Sequence, residues 1–293
     1  MEYSVVNYLR PGAKLFDLRK MNEAQKKLYE SAHLKNSFLH ELVFWTDQPK
    51  LMEIGDAIEH NPYHFFFYML ARFYWFDAGD NEIIYYYPNK QNTYFSETAL
   101  NSLPPRFRRE YVKREGYEYV ESPGCLVYKD STGEPWMYAY VRDLYKHIWA
   151  DTKKEKGKFT YLSRNKVNRK MRMITNEEEV LPHLKTIGFS VYSLEDLTFD
   201  QQIKLFRSSE IITGLHGAGL SHLVFCEPGT VVLELNNYGR EDIKNHYMDI
   251  SVKCGLRYYR STALENVDDG LDNKRIQTEV YLAQLKELVS TVR

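Results

Sequence analysis

The sequence predicts an α/β protein whose second half is a parallel, doubly wound sheet. Three observations predict it. Between Phe159 and Leu235, short apolar runs alternate with capped or amphipathic segments four times in about 80 residues, the pattern of successive strand–helix–strand units. The segment Asp151–Lys158 (DTKKEKGK) is charged, lacks any apolar side chain and reads as a linker. Ahead of it, the first half has its own strand–helix–strand order. The expected division is therefore 1–150 and 151–293.

The elements follow in order. Residues 21–39 accommodate a helix, and Met52–Ile58 a short strand or turn that ends at Asn61-Pro62. Tyr63–Trp75 reads as a helix entered through proline, whose missing N–H costs nothing in a first turn. Glu82–Tyr87 (EIIYYY) is rich in β-formers and stops at Pro88. Tyr117–Tyr128 holds one or two strands, and Met137–Ala150 is a helix. In the second half the predicted strands are Phe159–Leu162, Phe189–Tyr192, Glu210–Leu215 and Val231–Leu235. The predicted helices are Asn176–Ile187, Phe199–Ser208, Ala218–Cys226 and Glu279–Val292. Asn176 is placed to cap its helix, and the three glutamates that follow suit the positive end of the helix dipole.

Composition narrows the classes. Of 293 residues, 43% are apolar and 27% charged, as in an ordinary globular protein, and the net charge is −1. That balance lacks the basic excess of a nucleic-acid binder. The cluster Arg106–Arg114 (RFRREYVKR) reads as a solvated amphipathic helix rather than an RNA track. Three cysteines lie far apart with no CxxC pair, which argues against a zinc site or a disulfide framework. The longest apolar run, Phe65–Phe76, has 12 residues, includes Arg72 and is too short to span a bilayer. The first residues do not pattern as a signal peptide. The expectation is a cytoplasmic protein with no membrane anchor. Aromatic residues reach 15%, with 24 tyrosines, which suits clefts and interfaces.

Chemistry concentrates at one edge of the predicted second-half sheet. The apolar strand before His216-Gly217-Ala218-Gly219 runs into a helix, so small residues and helix N–H groups coincide at the carboxyl end of a strand. That is where open α/β sheets bind ligands and where phosphate is favoured. The bland reading is a tight turn with no ligand. HGAG is not GxGxxG, and GxSxG is absent. The basic loop Ser163–Arg172, with Arg164, Asn165 and Arg169, follows a strand at the same edge. Guanidinium forks suit diphosphate; an ordinary solvated basic loop is the alternative. Glu234, near the end of VVLEL, is placed to accept from ribose hydroxyls or to serve as an ion-paired glutamate.

The order Tyr-Leu-Ser-Arg164, Arg169–Arg172, Asn176-Glu177, the helix with Gln201-Gln202, and GLHGAGLSHLVFCEPGTVVLEL resembles glycosyltransferase family 61. The likeness is dense over Phe159–Leu235 and looser at Asn61-Pro-Tyr-His64 and Val141-Arg-Asp-Leu144. Ser221-His222 stands where Ser-Asn or Thr-Asn is usual, and no acidic residue follows His64. The resemblance implies a GT-B-like protein, two Rossmann-like domains facing across a cleft. It implies an inverting transfer of a sugar, xylose first and N-acetylglucosamine second, from a UDP-sugar to a glycan acceptor. The donor-binding set is Arg164, Asn165, Arg169, His216, Gly217, Ala218, Gly219 and Glu234. His64 is the expected base, since imidazole titrates near working pH, and Asp143 is the second candidate. No metal and no cofactor beyond the donor are expected, because arginines and a helix N-terminus neutralise the leaving diphosphate. The competing classes are a non-catalytic nucleotide- or glycan-binding module and a hydrolase of a phosphorylated ligand.

Overall fold

The computed structural model describes residues 39–43, 50–54, 61–70, 84–88, 94–104, 109–111, 125–128, 135–166, 172–236 and 245–293. The chain divides into two units, Met1–Tyr140 and Val141–Arg293. The division falls inside the helix Pro135–Leu144.

In the first unit, β1 (Leu39–Val43) pairs antiparallel with β5 (Cys125–Tyr128). Strands β2 (Lys50–Ile54), β3 (Ile84–Pro88) and β4 (Arg109–Tyr111) form a parallel sheet in that order. The parallel β2–β3 pair matches the strand–helix–strand order expected there. Asn61 caps the intervening helix by accepting from the Tyr63 N–H at 3.0 Å, and Pro62 follows it. The helix itself departs from expectation. One α-turn, Pro62–His64, passes into a π-helix, Phe65–Met69. Phe65, Phe66 and Phe67 are all fully buried. Phe65 and Phe66 lie edge-on to Phe95 at 5.6 and 5.7 Å, and Phe67 lies 4.9 Å from Tyr138. Three adjacent phenylalanines must all turn inward, and packing overrides the ordinary wind. The Tyr94–Asn101 helix that supplies Phe95 is not anticipated by the sequence reading. Nor is β4, which replaces part of the amphipathic helix expected over Arg106–Arg114.

The second unit carries the predicted parallel sheet. Strands β6 (Phe159–Ser163), β7 (Phe189–Ser193), β8 (Ile211–Leu215), β9 (Val231–Leu235) and β10 (Arg257–Ser261) take the spatial order β7-β6-β8-β9-β10, all parallel. Strands β6, β8 and β9 are buried along their whole length, as central parallel strands are. Side chains alternate between the two faces. Phe159, Tyr161, Ile211, Val231 and Leu233 pack with Val180, Leu184, Tyr281 and Leu285 from the helices Glu177–Thr186 and Thr278–Val292. The helix Phe199–Ser208 has a complete capping box, Thr198 and Gln201 each holding the other's N–H. A hairpin of β11 (Leu264–Asn266) and β12 (Lys274–Ile276) precedes the last helix. The helix His246–Lys253, β10 and the hairpin are additions to the predicted elements.

Asn176 does sit at the start of its helix, but its side chain makes no cap. It exchanges two hydrogen bonds with Ile276 of β12, donating at 3.0 Å and accepting at 2.8 Å. The segment Ala218–Phe225 is a 3-10 helix, not the α-helix expected over Ala218–Cys226. It is buried from Leu220 onward and packs against the helices Phe199–Ser208 and His246–Lys253. Tertiary packing decides its wind over a glycine-containing sequence of modest helix propensity.

Candidate functional site

The strand order creates a switch point. From β6 the chain moves outward to β7, whereas β8 lies on the opposite side of β6 and leads on to β9. The carboxyl ends of β6 and β8 are therefore adjacent and flank the place where open α/β sheets take ligands. Arg164 leaves the first of these ends and His216–Gly219 the second.

These two turns interlock. The Arg164 Nη1 donates to the His216 carbonyl at 3.2 Å. Its guanidinium lies over Gly217 so closely that a Cβ there would fall 1.4 Å from Nη1 and 2.7 Å from Cζ. Gly217 is extended, with φ 173° and ψ 163°, so the glycine serves the arginine and not an unusual backbone. Gly219 is similarly closed by Leu194, whose Cδ1 would stand 2.7 Å from an added Cβ. Gly217 is buried, and Ala218 and Gly219 are half-buried. The first N–H groups of the 3-10 helix have no partner inside it, as at any helix start.

Behind the turn lies a buried polar cluster. Glu234 is fully buried. One of its oxygens accepts from His216 Nδ1 and from Asn236 Nδ2 at 3.0 Å, and the other accepts from the Tyr258 hydroxyl at 2.5 Å. This carboxylate holds the imidazole ring at Nδ1. Burial raises the Tyr258 pKa above the usual phenol range, and the nearby Glu234 charge adds to that. Arg260 Nε donates to the same hydroxyl at 3.4 Å. The His216 ring rests 4.9 Å from Tyr247, itself buried. Of the two roles open to Glu234, the internal pairing is the one seen: both of its oxygens accept within the protein, one of them from His216.

The other predicted residues are distributed as follows. Asn165 is exposed, and its N–H donates to Ser163 Oγ at 3.3 Å. Arg169 lies outside the described residues. His64 is half-buried in the first unit, at the junction of the α-turn and the π-helix, 5.8 Å from the Tyr63 ring. Asp143 is exposed on the Pro135–Leu144 helix, past the division between units. Among the described residues, no three His, Cys, Asp or Glu side chains gather to hold a metal ion. The acidic pair Asp268-Asp269 belongs to the β11–β12 loop, where Asp269 accepts from the Leu271 N–H at 2.9 Å and from Asn273 at 2.7 Å. The sequence reading missed Asn236 and Tyr247. No local signal marks these residues, because the β9–β10 register and the placement of the His246–Lys253 helix bring them in.

A parallel sheet with an arginine locked over a glycine turn at its switch point defines the second unit as a doubly wound α/β unit. The family model for Glycosyltransferase 61 matches residues 63–233, more than half of the chain. The protein belongs to glycosyltransferase family 61. Among curated relatives, the EGF domain-specific O-linked N-acetylglucosamine transferase of Drosophila melanogaster is 37% identical over 107 residues, 36% of this chain and 19% of that protein. The Gallus gallus protein of the same description is 36% identical over 92 residues, 30% of this chain and 17% of its own. A xylan glycosyltransferase of Arabidopsis thaliana is 30% identical over 91 residues, 30% of this chain and 18% of that protein. The matches thus span less than a fifth of these relatives' own length. A solved bacterial iron-containing dodecameric glycosyltransferase, TibC, aligns with TM-score 0.35 and 10% identity over 72% of this chain and 74% of that one.

Proposed function

We propose that this protein transfers a sugar from a UDP-sugar to a glycan acceptor with inversion at the anomeric carbon. The observation that carries the reading is the Arg164–Gly217 interlock at the sheet's switch point, in a member of a glycosyltransferase family. A fixed guanidinium beside the start of a helical segment is suited to the charge that grows on a departing diphosphate. Direct displacement also needs a base for the acceptor hydroxyl. His64 takes that role in this proposal. Its place at the entry to a π-helix favours it, since such turns collect at functional sites. Asp143 is the second candidate base. In this reading the chain adopts the GT-B arrangement, with the donor held by the second unit, and the transfer needs no metal. The relatives named for N-acetylglucosamine transfer move UDP-N-acetylglucosamine ahead of UDP-xylose as the donor to try first.

The test is a panel of UDP-sugars with two readouts, thermal shift and UDP release without acceptor. A ligand that binds only the folded state raises its stability. Stabilisation by a UDP-sugar with slow UDP release supports a transferase. Stabilisation without release points to a binding module. Release of inorganic phosphate from a phosphorylated ligand, with no response to UDP-sugars, overturns the proposal in favour of a hydrolase.

A further inference from the structure

Glu177 is a buried acid that the site described above does not use. It is 3% exposed, in the first turn of the Glu177–Thr186 helix. Its Oε1 accepts from the Tyr161 hydroxyl at 2.8 Å and its Oε2 from the Ser163 hydroxyl at 2.7 Å. Both donors are neutral, and burial pushes the Glu177 pKa up from its ordinary value. A carboxylate buried among neutral partners is poor for stability, because an apolar side chain of similar volume avoids its desolvation. Stability therefore does not explain why a carboxylate occupies this position.

Its partners do. Tyr161 and Ser163 lie on one face of β6, and Ser163 is the last residue of that strand. By donating its proton to Glu177, the Ser163 hydroxyl turns its lone pairs back toward the chain. There it accepts the Asn165 N–H at 3.3 Å. That contact closes the turn around Arg164, whose guanidinium reaches the His216 carbonyl and covers Gly217. Hydrogen bonds thus run from Glu177 through the Ser163 hydroxyl to the N–H of Asn165, the residue that follows Arg164.

We propose that Glu177 is a positioning residue for Arg164, acting through Ser163 on the turn that aims the guanidinium at the HGAG segment. The proposal takes Arg164 as the diphosphate contact and so rests on the functional reading above. A glutamine at 177 offers one acceptor oxygen where the carboxylate offers two, and its amide N–H cannot accept the second hydroxyl.

The experiment uses the full chain with UDP as the probe. Glu177→Gln is expected to weaken UDP binding about tenfold, the scale of one lost charge-assisted hydrogen bond, while leaving the melting temperature within a few degrees. In an Arg164→Ala background the same change should have no further effect on affinity, because the residue it positions is gone. Equal effects in both backgrounds, or unchanged affinity in the single variant, overturn the proposal. Ser163→Ala removes the same link without altering the buried charge. It is expected to repeat the single-variant result and serves if Glu177→Gln does not fold. A readout without ligand separates this proposal from the functional one. In the free protein, the Arg164 Nε–H and Gly217 amide resonances should move in the Glu177 or Ser163 variant. If the wild type binds no UDP, the functional reading fails alone, and unmoved resonances then overturn the positioning role.

Discussion

Replacing Gly217 by alanine separates what the fold needs from what the site needs. The added Cβ would stand 1.4 Å from Arg164 Nη1, so methyl and guanidinium cannot share that space. The backbone has no objection, since φ 173° and ψ 163° are open to any residue. At a compatible conformation, removing a glycine restricts the unfolded chain and stabilises by about 0.4–1 kcal/mol. Against this stands the 3.2 Å hydrogen bond from Arg164 to the His216 carbonyl, worth about 1.5–3 kcal/mol for a charged donor. Much of that is recovered, because Arg164 is only half-buried and its displaced head is solvated by water. The net change in stability is expected to be roughly 1 kcal/mol, a few degrees in melting temperature at most for a unit of this size. Anion binding should suffer far more. Loss of one well-aimed guanidinium contact, about 1.4–3 kcal/mol, weakens UDP binding roughly 10- to 150-fold. Calorimetric titration with UDP, beside thermal melts of the same samples, reads both quantities. Unchanged affinity in a folded variant would refute the placement of Arg164 on the diphosphate. A melting temperature lowered by 10 degrees or more would refute the claim that the glycine serves the side chain and not the backbone.

Four other outcomes are expected. Arg164→Lys should weaken UDP binding although charge is kept, because lysine lacks the planar two-hydrogen-bond fork; equal affinity removes Arg164 from the donor site. His64→Ala should lower transfer by about two orders of magnitude or more with UDP affinity intact, and surviving activity would move the base elsewhere, Asp143 being next. His222 is buried, stacked 5.2 Å from Phe206, and desolvation lowers its pKa from 6.5 to about 4. Because the unfolded chain takes up that proton first, His222 costs no stability above pH 6.5 and destabilises progressively as pH falls toward 4. Between pH 7 and pH 5 the loss is about 2 kcal/mol, and His222→Gln should show a correspondingly smaller drop in denaturant melts at the two pH values. Thr198→Ala breaks the capping box of the Phe199–Ser208 helix and should cost about 1 kcal/mol in the same assay; no change would show that the cap is already replaced by water.

The second half was legible because its signals are local. Strand Val231–Leu235 and helix Phe199–Ser208 coincide with their predicted bounds, the first through a continuous apolar run, the second through a cap and a regular apolar stripe. That Arg164 and HGAG share the carboxyl edge of the sheet followed from alternation alone, whereas the adjacency of β6 and β8 is set by the strand order. What was not legible depends on distant partners. Strand β10, RYYRS, is an edge strand with alternating exposure, and its charged residues hide the β pattern. The wind of Phe65–Met69 answers to Phe95 and Tyr138, far along the chain. Asn176 reads locally as a cap, yet its amide goes to Ile276, 100 residues later. Glu177 reads locally as one of three dipole-favoured first-turn glutamates, and the structure buries it against Tyr161 and Ser163 of β6.

The same contrast explains how the site holds its shape. Glu234 points to the face of the sheet shared with Tyr258 and Arg260, since β9 and β10 run parallel with Arg260 opposite Glu234. A one-residue slip in that register would carry Tyr258 to the opposite face, and one carboxylate oxygen would lose its 2.5 Å donor. The other oxygen would keep His216 and Asn236, which come from the ends of β8 and β9. The His216 backbone is tied independently, its N–H donating to the Leu235 carbonyl at 2.9 Å. Ring and backbone of His216 are thus fixed by different partners, and the carbonyl that receives Arg164 belongs to a residue held at both ends. Arginine is a long, mobile side chain whose ordering costs entropy. Here that cost is offset within the fold by a rigid acceptor at one end, the Ser163–Asn165 turn at the other, and a glycine that leaves room between them.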